Sequence, residues 1–197
     1  MISNNAKEEV NLKKIYCIRH ALTDDHVSAR KIPVLGFPNQ GINDAGIKDA
    51  KAVACKLKNL GIQGIVSSDL KSSVDTARII GDYLKVPIYY TELLRERNQG
   101  EFTGKTLQYL RETYENFSIT TIGKNREALS DFIKRSRKAF TQIVKDYNWE
   151  TCMIVSHKGL LQTMSAACFE KKPQNWRLCE MREISFDSLK EEWVIKD

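Results

Sequence analysis

The reading of this chain turns on "IYCIRHALTD", residues 15–24. Ile15, Tyr16, Cys17 and Ile18 make a short apolar run suited to a buried strand, and the run stops abruptly at Arg19 and His20. A strand end is a rigid mount for reactive side chains, because the ladder behind it holds the backbone. On its own the Arg-His pair reads equally as a polar exit from the core, so the surrounding chain has to decide.

Outward from that stretch the pattern alternates. "INDAGIKDAKAVACKLKNLG" (42–61) is a helix: Asn43 or Asp44 can cap it, Ile47, Ala50, Val53, Ala54 and Leu57 recur at helical spacing, and Gly61 ends it. "IQGIVSS" (62–68) is the next strand, and "DLKSSVDTARIIGDYLK" (69–85) is a second amphipathic helix with Asp69 as its expected cap. "VPIYY" (86–90) is a third strand, followed by a polar stretch with one helical segment around 107–114. "REALSDFIKRSRKAFTQIVKDY" (126–147) is a long helix, "CMIVSH" (152–157) a strand and "GLLQTMSAACF" (159–169) an apolar helix. "REISFDS" and "EEWVIK" close the chain as a pair of strands. Strands separated by helices predict an α/β fold with a mainly parallel sheet covered by helices on both faces.

In such sheets ligands bind beyond the carboxyl ends of the strands. Two of the three histidines stand there, His20 after "IYCIR" and His157 after "CMIVS"; His26 lies in the loop after the first strand. Between them, "LLRERNQGEFTG" (93–104) places Glu96 among Arg95 and Arg97. A histidine nucleophile, a second histidine, arginines for an anion and a carboxylate for proton transfer form a coherent phosphoryl-transfer set. The Glu96 cluster by itself reads as a surface salt-bridge patch.

Composition narrows the classes. The 197 residues, 42% hydrophobic and 28% charged, suit an ordinary globular domain with room for a real core. No run approaches the roughly 18 apolar residues that cross a bilayer. The polar residues 1–14 lack a signal-peptide core and read as a flexible lead-in to one domain over 15–197. Five cysteines without C-x-x-C spacing predict reduced, buried thiols in a cytoplasmic protein and no zinc site. The formal charge of +6 is spread along the chain, and no nucleic-acid module or G-x-x-x-x-G-K-[ST] loop occurs.

From 15 to about 195 the chain resembles the histidine phosphatase superfamily, which includes the cofactor-dependent phosphoglycerate mutases. The family's R-H-G-x-T segment is matched by Arg19-His20-Ala21-Leu22-Thr23, and its G-W-x-D-x-P-L-T-x-x-G loop is echoed by "GFPNQGINDAG" (36–46). S-x-L-x-R-A-x-x-T-A appears as "SSDLKSSVDTA" (67–77), L-x-E-R-x-x-G-x-x-x-G as "LRERNQGEFTG" (94–104) and V-S-H-G-G as "VSHKG" (155–159). The resemblance implies that His20 attacks a phosphomonoester and carries the phosphoryl group as phosphohistidine. It further implies that Arg19 and a protonated His157 cradle the phosphoryl oxygens, with Thr23 and Arg97 among the binding residues. Glu96 is then the acid that protonates the leaving alkoxide and the base that later takes a proton from water. No metal or cofactor is implied. The implied partner is a small phosphorylated substrate or a phosphorylated protein side chain, with neither nucleic acid nor membrane; the oligomeric state is unreadable.

The departures carry their own expectations. Ser72 occupies the position of the family's second pocket arginine, Ala21 and Lys158 stand where glycines usually follow the two histidines, and the loop between Thr23 and Gly36 is about three residues longer than is usual in the family. A missing pocket arginine can remove orders of magnitude in rate. The alternatives to a working phosphatase are therefore a phosphate-binding regulatory relative with little turnover or a phosphoglycerate-type mutase. Lys158 is expected to supply part of the charge that Ser72 cannot. Substrate choice is expected to lie in 24–41 and in 102–127, which holds Lys105, Tyr109, Arg111, Tyr114, Phe117 and Arg126.

Overall fold

In the computed structural model, which describes residues 12–29, 39–118, 120–121, 123–169, 175–188, 190 and 192–194, the opening apolar run lies inside β1 (Leu12–Arg19). The strand starts inside the expected lead-in, at Leu12; residues 1–11 lie outside the described residues. The order continues α1 (Asp24–Ala29), α2 (Asp44–Leu57), β2 (Gly64–Ser68), α3 (Lys71–Leu84), β3 (Ile88–Thr91) and α4 (Leu107–Thr113). It closes with α5 (Leu129–Asp146), β4 (Thr151–Ser156), α6 (Lys158–Phe169), β5 (Met181–Asp187) and β6 (Glu192–Val194). One sheet of order β3-β2-β4-β1-β5-β6 results, parallel from β3 to β1 and completed by antiparallel β5 and β6.

Period-two alternation assigns β1 to two cores. Ile15 and Cys17 face one layer with Ile154, Phe132, Phe140, Leu161 and Met164, where α5 and α6 pack. Tyr16 and Ile18 face the other with Val155, Ala54, Leu57, Ala77 and Ile80, where α2 and α3 pack. The sheet is thus covered on both faces, as the alternating pattern predicts. No described helix is long and apolar enough to cross a membrane.

Local chemistry departs from the sequence reading in four places. The segment after Thr23, expected as loop, begins with α1; the Thr23 hydroxyl accepts the His26 N–H at 3.4 Å, and two aspartates fill the first turn. That helix lacks an apolar stripe, so periodicity does not reveal it, and residues 30–38 lie outside the described residues. Asp69 does not cap α3: Leu70 holds the cap position without a side-chain bond, while Asp69 pairs with Arg95. The long helix starts at Leu129 instead of Arg126, because the Arg126 side chain donates to Gln99 and the Glu127 N–H to the Asn98 carbonyl. Among the cysteines, Cys17 and Cys152 are buried as expected, but Cys55 is exposed on α2 and Cys179 half-buried; the side chain of Cys168 lies outside the described residues. Asn43 does cap α2, its Oδ1 accepting from the Gly46 N–H at 2.9 Å.

Candidate active site

The site follows from strand register. Parallel pairing sets Arg19 opposite Ser156, so the next residues, His20 and His157, leave the sheet side by side. The His20 N–H donates to the Ser156 carbonyl at 2.9 Å, and the two rings lie 5.0 Å apart between centroids. From α1, the His26 ring stands 5.1 Å from that of His20. All three histidines of the chain therefore gather at one place.

Hydrogen-bond partners decide what each ring can do. His20 Nδ1 lies 2.8 Å from the Ala21 carbonyl, which only accepts, so Nδ1 carries the proton and Nε2 keeps its lone pair. Burial, then His157, Arg19 and His26, hold its protonation well below the ordinary histidine range. His157 Nε2 meets the Ser68 hydroxyl at 2.9 Å and the Ser73 hydroxyl at 3.3 Å. The resemblance implied a protonated His157; with these neighbours alone its pKa falls to about 3, through burial first and then Arg19, His26 and Arg135, against the pull of Asp69. Burial thus disfavours the charged form of this ring while the pocket holds no anion.

Arg19 is the cation between them. One guanidinium nitrogen donates to the Trp176 carbonyl at 3.0 Å and another to His26 Nε2 at 2.7 Å. Because arginine only donates, His26 Nε2 is an acceptor there, and Nδ1 carries the proton toward the Thr23 hydroxyl at 2.7 Å. Thr23 is buried beside it. A guanidinium among three histidines suits an anion better than a metal cation.

Glu96 arrives from the loop after β3. Its Oε1 accepts from the Arg97 N–H at 2.9 Å and its Oε2 from the Gly159 N–H at 2.7 Å, in the first turn of α6. Gly159 permits this approach, since an added Cβ would run into the Glu96 carboxylate. Burial raises the carboxyl's pKa; the two N–H donors, Arg19 and Arg135 oppose that rise without cancelling it. A buried acid that holds its proton above the usual range is equipped to give it away.

Arg97, Lys158 and Ser72 stand around this centre. Arg97 is buried, and its Nε donates to the Glu127 carbonyl at 2.9 Å, which ties the Glu96 loop to the segment before α5. Lys158 opens α6 with an exposed side chain. Ser72 is buried on α3, its carbonyl accepting from Thr76, whose hydroxyl receives the Ala21 N–H at 3.0 Å.

Sequence reasoning passed over three features of the site. His26 reads as a loop residue, yet it stands at the third position after Thr23, where one helical turn makes the two neighbours. Ser68 and Ser73 carry no signal beyond their position. Arg135 does carry one. It lies between buried Phe132 and buried Ser136, and grips Glu127 with both carboxylate oxygens at 2.8 and 2.9 Å. It also donates to the Leu93 and Arg95 carbonyls at 2.8 and 2.9 Å, so it braces the backbone that presents Glu96.

A neutral imidazole with a free lone pair, an adjacent guanidinium and a proton-holding carboxyl can together attack, steady and release a phosphoryl group. Comparison with known proteins agrees in kind. A family model described as histidine phosphatase superfamily (branch 1) matches residues 15–192. The uncharacterized phosphatase PhoE of Bacillus subtilis (strain 168) is 25% identical over 182 residues, 91% of this chain and 91% of that protein. The metal-independent phosphoserine phosphatase of Arabidopsis thaliana is 28% identical over 172 residues, 82% of this chain and 71% of that protein. A mycobacterial glucosyl-3-phosphoglycerate phosphatase, solved with VO3, shares the fold at a TM-score of 0.80 and 22% identity, over 94% of this chain and 98% of that one.

Proposed function

The chain belongs to the histidine phosphatase superfamily, and from that premise we propose that it hydrolyses a phosphomonoester, without a metal, through a phosphohistidine on His20. The observation that supports this most directly is the Nδ1 bond from His20 to the Ala21 carbonyl, which leaves Nε2 as an uncharged nucleophile beside Arg19. The Nε2 lone pair attacks phosphorus as the phosphorus–oxygen ester bond breaks. Glu96 passes its proton to the leaving alkoxide. Glu96, now a carboxylate, takes a proton from water, the hydroxide oxygen attacks phosphorus, and the phosphorus–nitrogen bond breaks to restore neutral His20.

Arg19 and the Thr23 hydroxyl would hold the phosphoryl oxygens, with His157 as a further donor and Lys158 as an outlying positive charge. Arg97 then serves binding indirectly, by fixing the loop that carries Glu96. The substrate class follows the relatives only as far as small phosphorylated molecules.

One observation favours a second reading, a phosphate-binding relative with little turnover. Ser72 places a buried hydroxyl where the family resemblance puts a second guanidinium, which leaves less positive charge for the transition state. Hydrolysis of an aryl phosphate across pH separates the two. A phosphatase turns the ester over and loses that activity in His20→Ala; a binding relative retains phosphate affinity with no turnover that depends on His20.

A further inference from the structure

Among the described residues, a phosphate dianion entering this pocket meets the Arg19 guanidinium beside three imidazoles, and burial disfavours charge on two of those rings. His20 must keep its Nε2 lone pair to act as nucleophile. His157 is buried, which penalises its charged form, and its Nε2 already has the Ser68 and Ser73 hydroxyls as partners. His26 differs on both counts. Its ring is only half-buried, so charging it loses less hydration, and its Nε2 points at the Arg19 guanidinium 2.7 Å away.

That contact exists in one protonation state only. An arginine N–H cannot accept, so Nε2 must hold a lone pair to meet it. An imidazolium in the same place would set two cations together. An anion oxygen between the two groups reverses the preference, since Arg19 and a protonated Nε2 could then both donate to it. Thr23, held by His26 Nδ1, would turn its own hydroxyl hydrogen toward the same oxygens.

We propose that His26 is a proton-linked ligand of the phosphoryl group, neutral while it accepts from Arg19 and an imidazolium once a dianion sits between them, the proton coming from solvent. The inference rests on the phosphate-pocket reading above and adds a consequence to it: anion affinity falls as pH rises, through one proton taken up at His26. The charged and titratable groups around His26, among the described residues, include Arg19 from β1, His20 beyond it, His157 beyond β4, and Asp24 and Asp25 on α1 itself. Charge on His26 lowers proton affinity at His20 and His157, which favours one added proton over two.

Sulfate is the probe, because its charge stays at two through neutral pH and any pH dependence belongs to the protein. Nitrogen spectra of histidine-labelled protein contain three rings, assigned with His26→Asn. With saturating sulfate at neutral pH, His26 Nε2 should move to its imidazolium position while His20 stays neutral. Sulfate affinity should fall by about tenfold per pH unit in the linked range, and His26→Asn should flatten that slope by about one proton. Sulfate bound with His26 still neutral, or an unchanged slope in His26→Asn, overturns this inference and leaves the phosphatase reading standing. Failure of the wild-type protein to bind sulfate at any pH overturns both.

Discussion

At His20, a single backbone bond chooses between two chemically different nitrogens. With Nδ1 committed to the Ala21 carbonyl, Nε2 is the only ring atom able to accept phosphorus. His20→Ala should therefore abolish hydrolysis, and acid-labile, base-stable phosphate trapped from substrate should map to His20; trapping on His157 alone would sink the assignment. Glu96 makes a leaving-group prediction. Its burial-raised carboxyl matters where the departing oxygen is basic, so Glu96→Gln should slow alkyl phosphates at least tenfold more than aryl phosphates. Equal losses on both ester types would remove the acid role. For Lys158, exposed at the first turn of α6, the expected loss on Lys158→Ala is about tenfold in phosphate affinity, about 1.4 kcal/mol. Unchanged affinity assigns that lysine to solvent.

Elements matter because the site is assembled where they end. β1 and β4 set the two histidines side by side, and α6 begins at Lys158, close enough to Glu96 for the Gly159 N–H to donate to it. Gly159→Ala has no room for its methyl beside that carboxylate, so kcat on alkyl esters should drop while Kd for sulfate, held by other groups, changes little. Both values falling together would mean that the whole end of α6 has moved. α2 is tied to the same region differently. Asn43 caps it and its N–H donates to the Leu22 carbonyl at 3.0 Å, so the helix start and the nucleophile's loop are one unit. Asn43→Ala should lower unfolding free energy by about 1 kcal/mol in urea.

Over the whole molecule, burial of histidines makes stability pH-dependent with a definite sign. His157 has an ordinary value of 6.5 when unfolded and about 3 when folded, and His20 is shifted the same way. Between those values the unfolded chain binds more protons, so stability falls as pH drops below 6.5, by about 1.4 kcal/mol per unit for each histidine. Glu96, raised on folding, opposes this modestly in the acid range. At the alkaline end Cys152 and Cys179 move from 9.0 to about 12 on folding, so stability should fall again as pH rises above 9.0. Urea midpoints should thus peak near neutral pH and decline on both sides. A midpoint that does not change between pH 7 and pH 5 contradicts the buried neutral histidines.

The fold class, the order of the main strands and helices and the positions of His20, Glu96 and His157 were all legible in the sequence. Each depends on local periodicity or on a polar residue that ends an apolar run, and both are properties of neighbouring residues. The tertiary structure alone decided which groups meet. Asp69 looks like a cap in isolation, but Arg95, brought from a distant loop, offers a full opposite charge that outweighs a backbone N–H. The pull on His157 away from its charged form is likewise a tertiary matter, because burial and the Arg19 and Arg135 guanidinia reach it only through packing. His26 became part of the site only when a short helix without an apolar stripe folded it back onto Arg19. Contacts between residues far apart in the chain leave no period to read, so the sequence determined the frame and the tertiary structure determined the chemistry mounted on it.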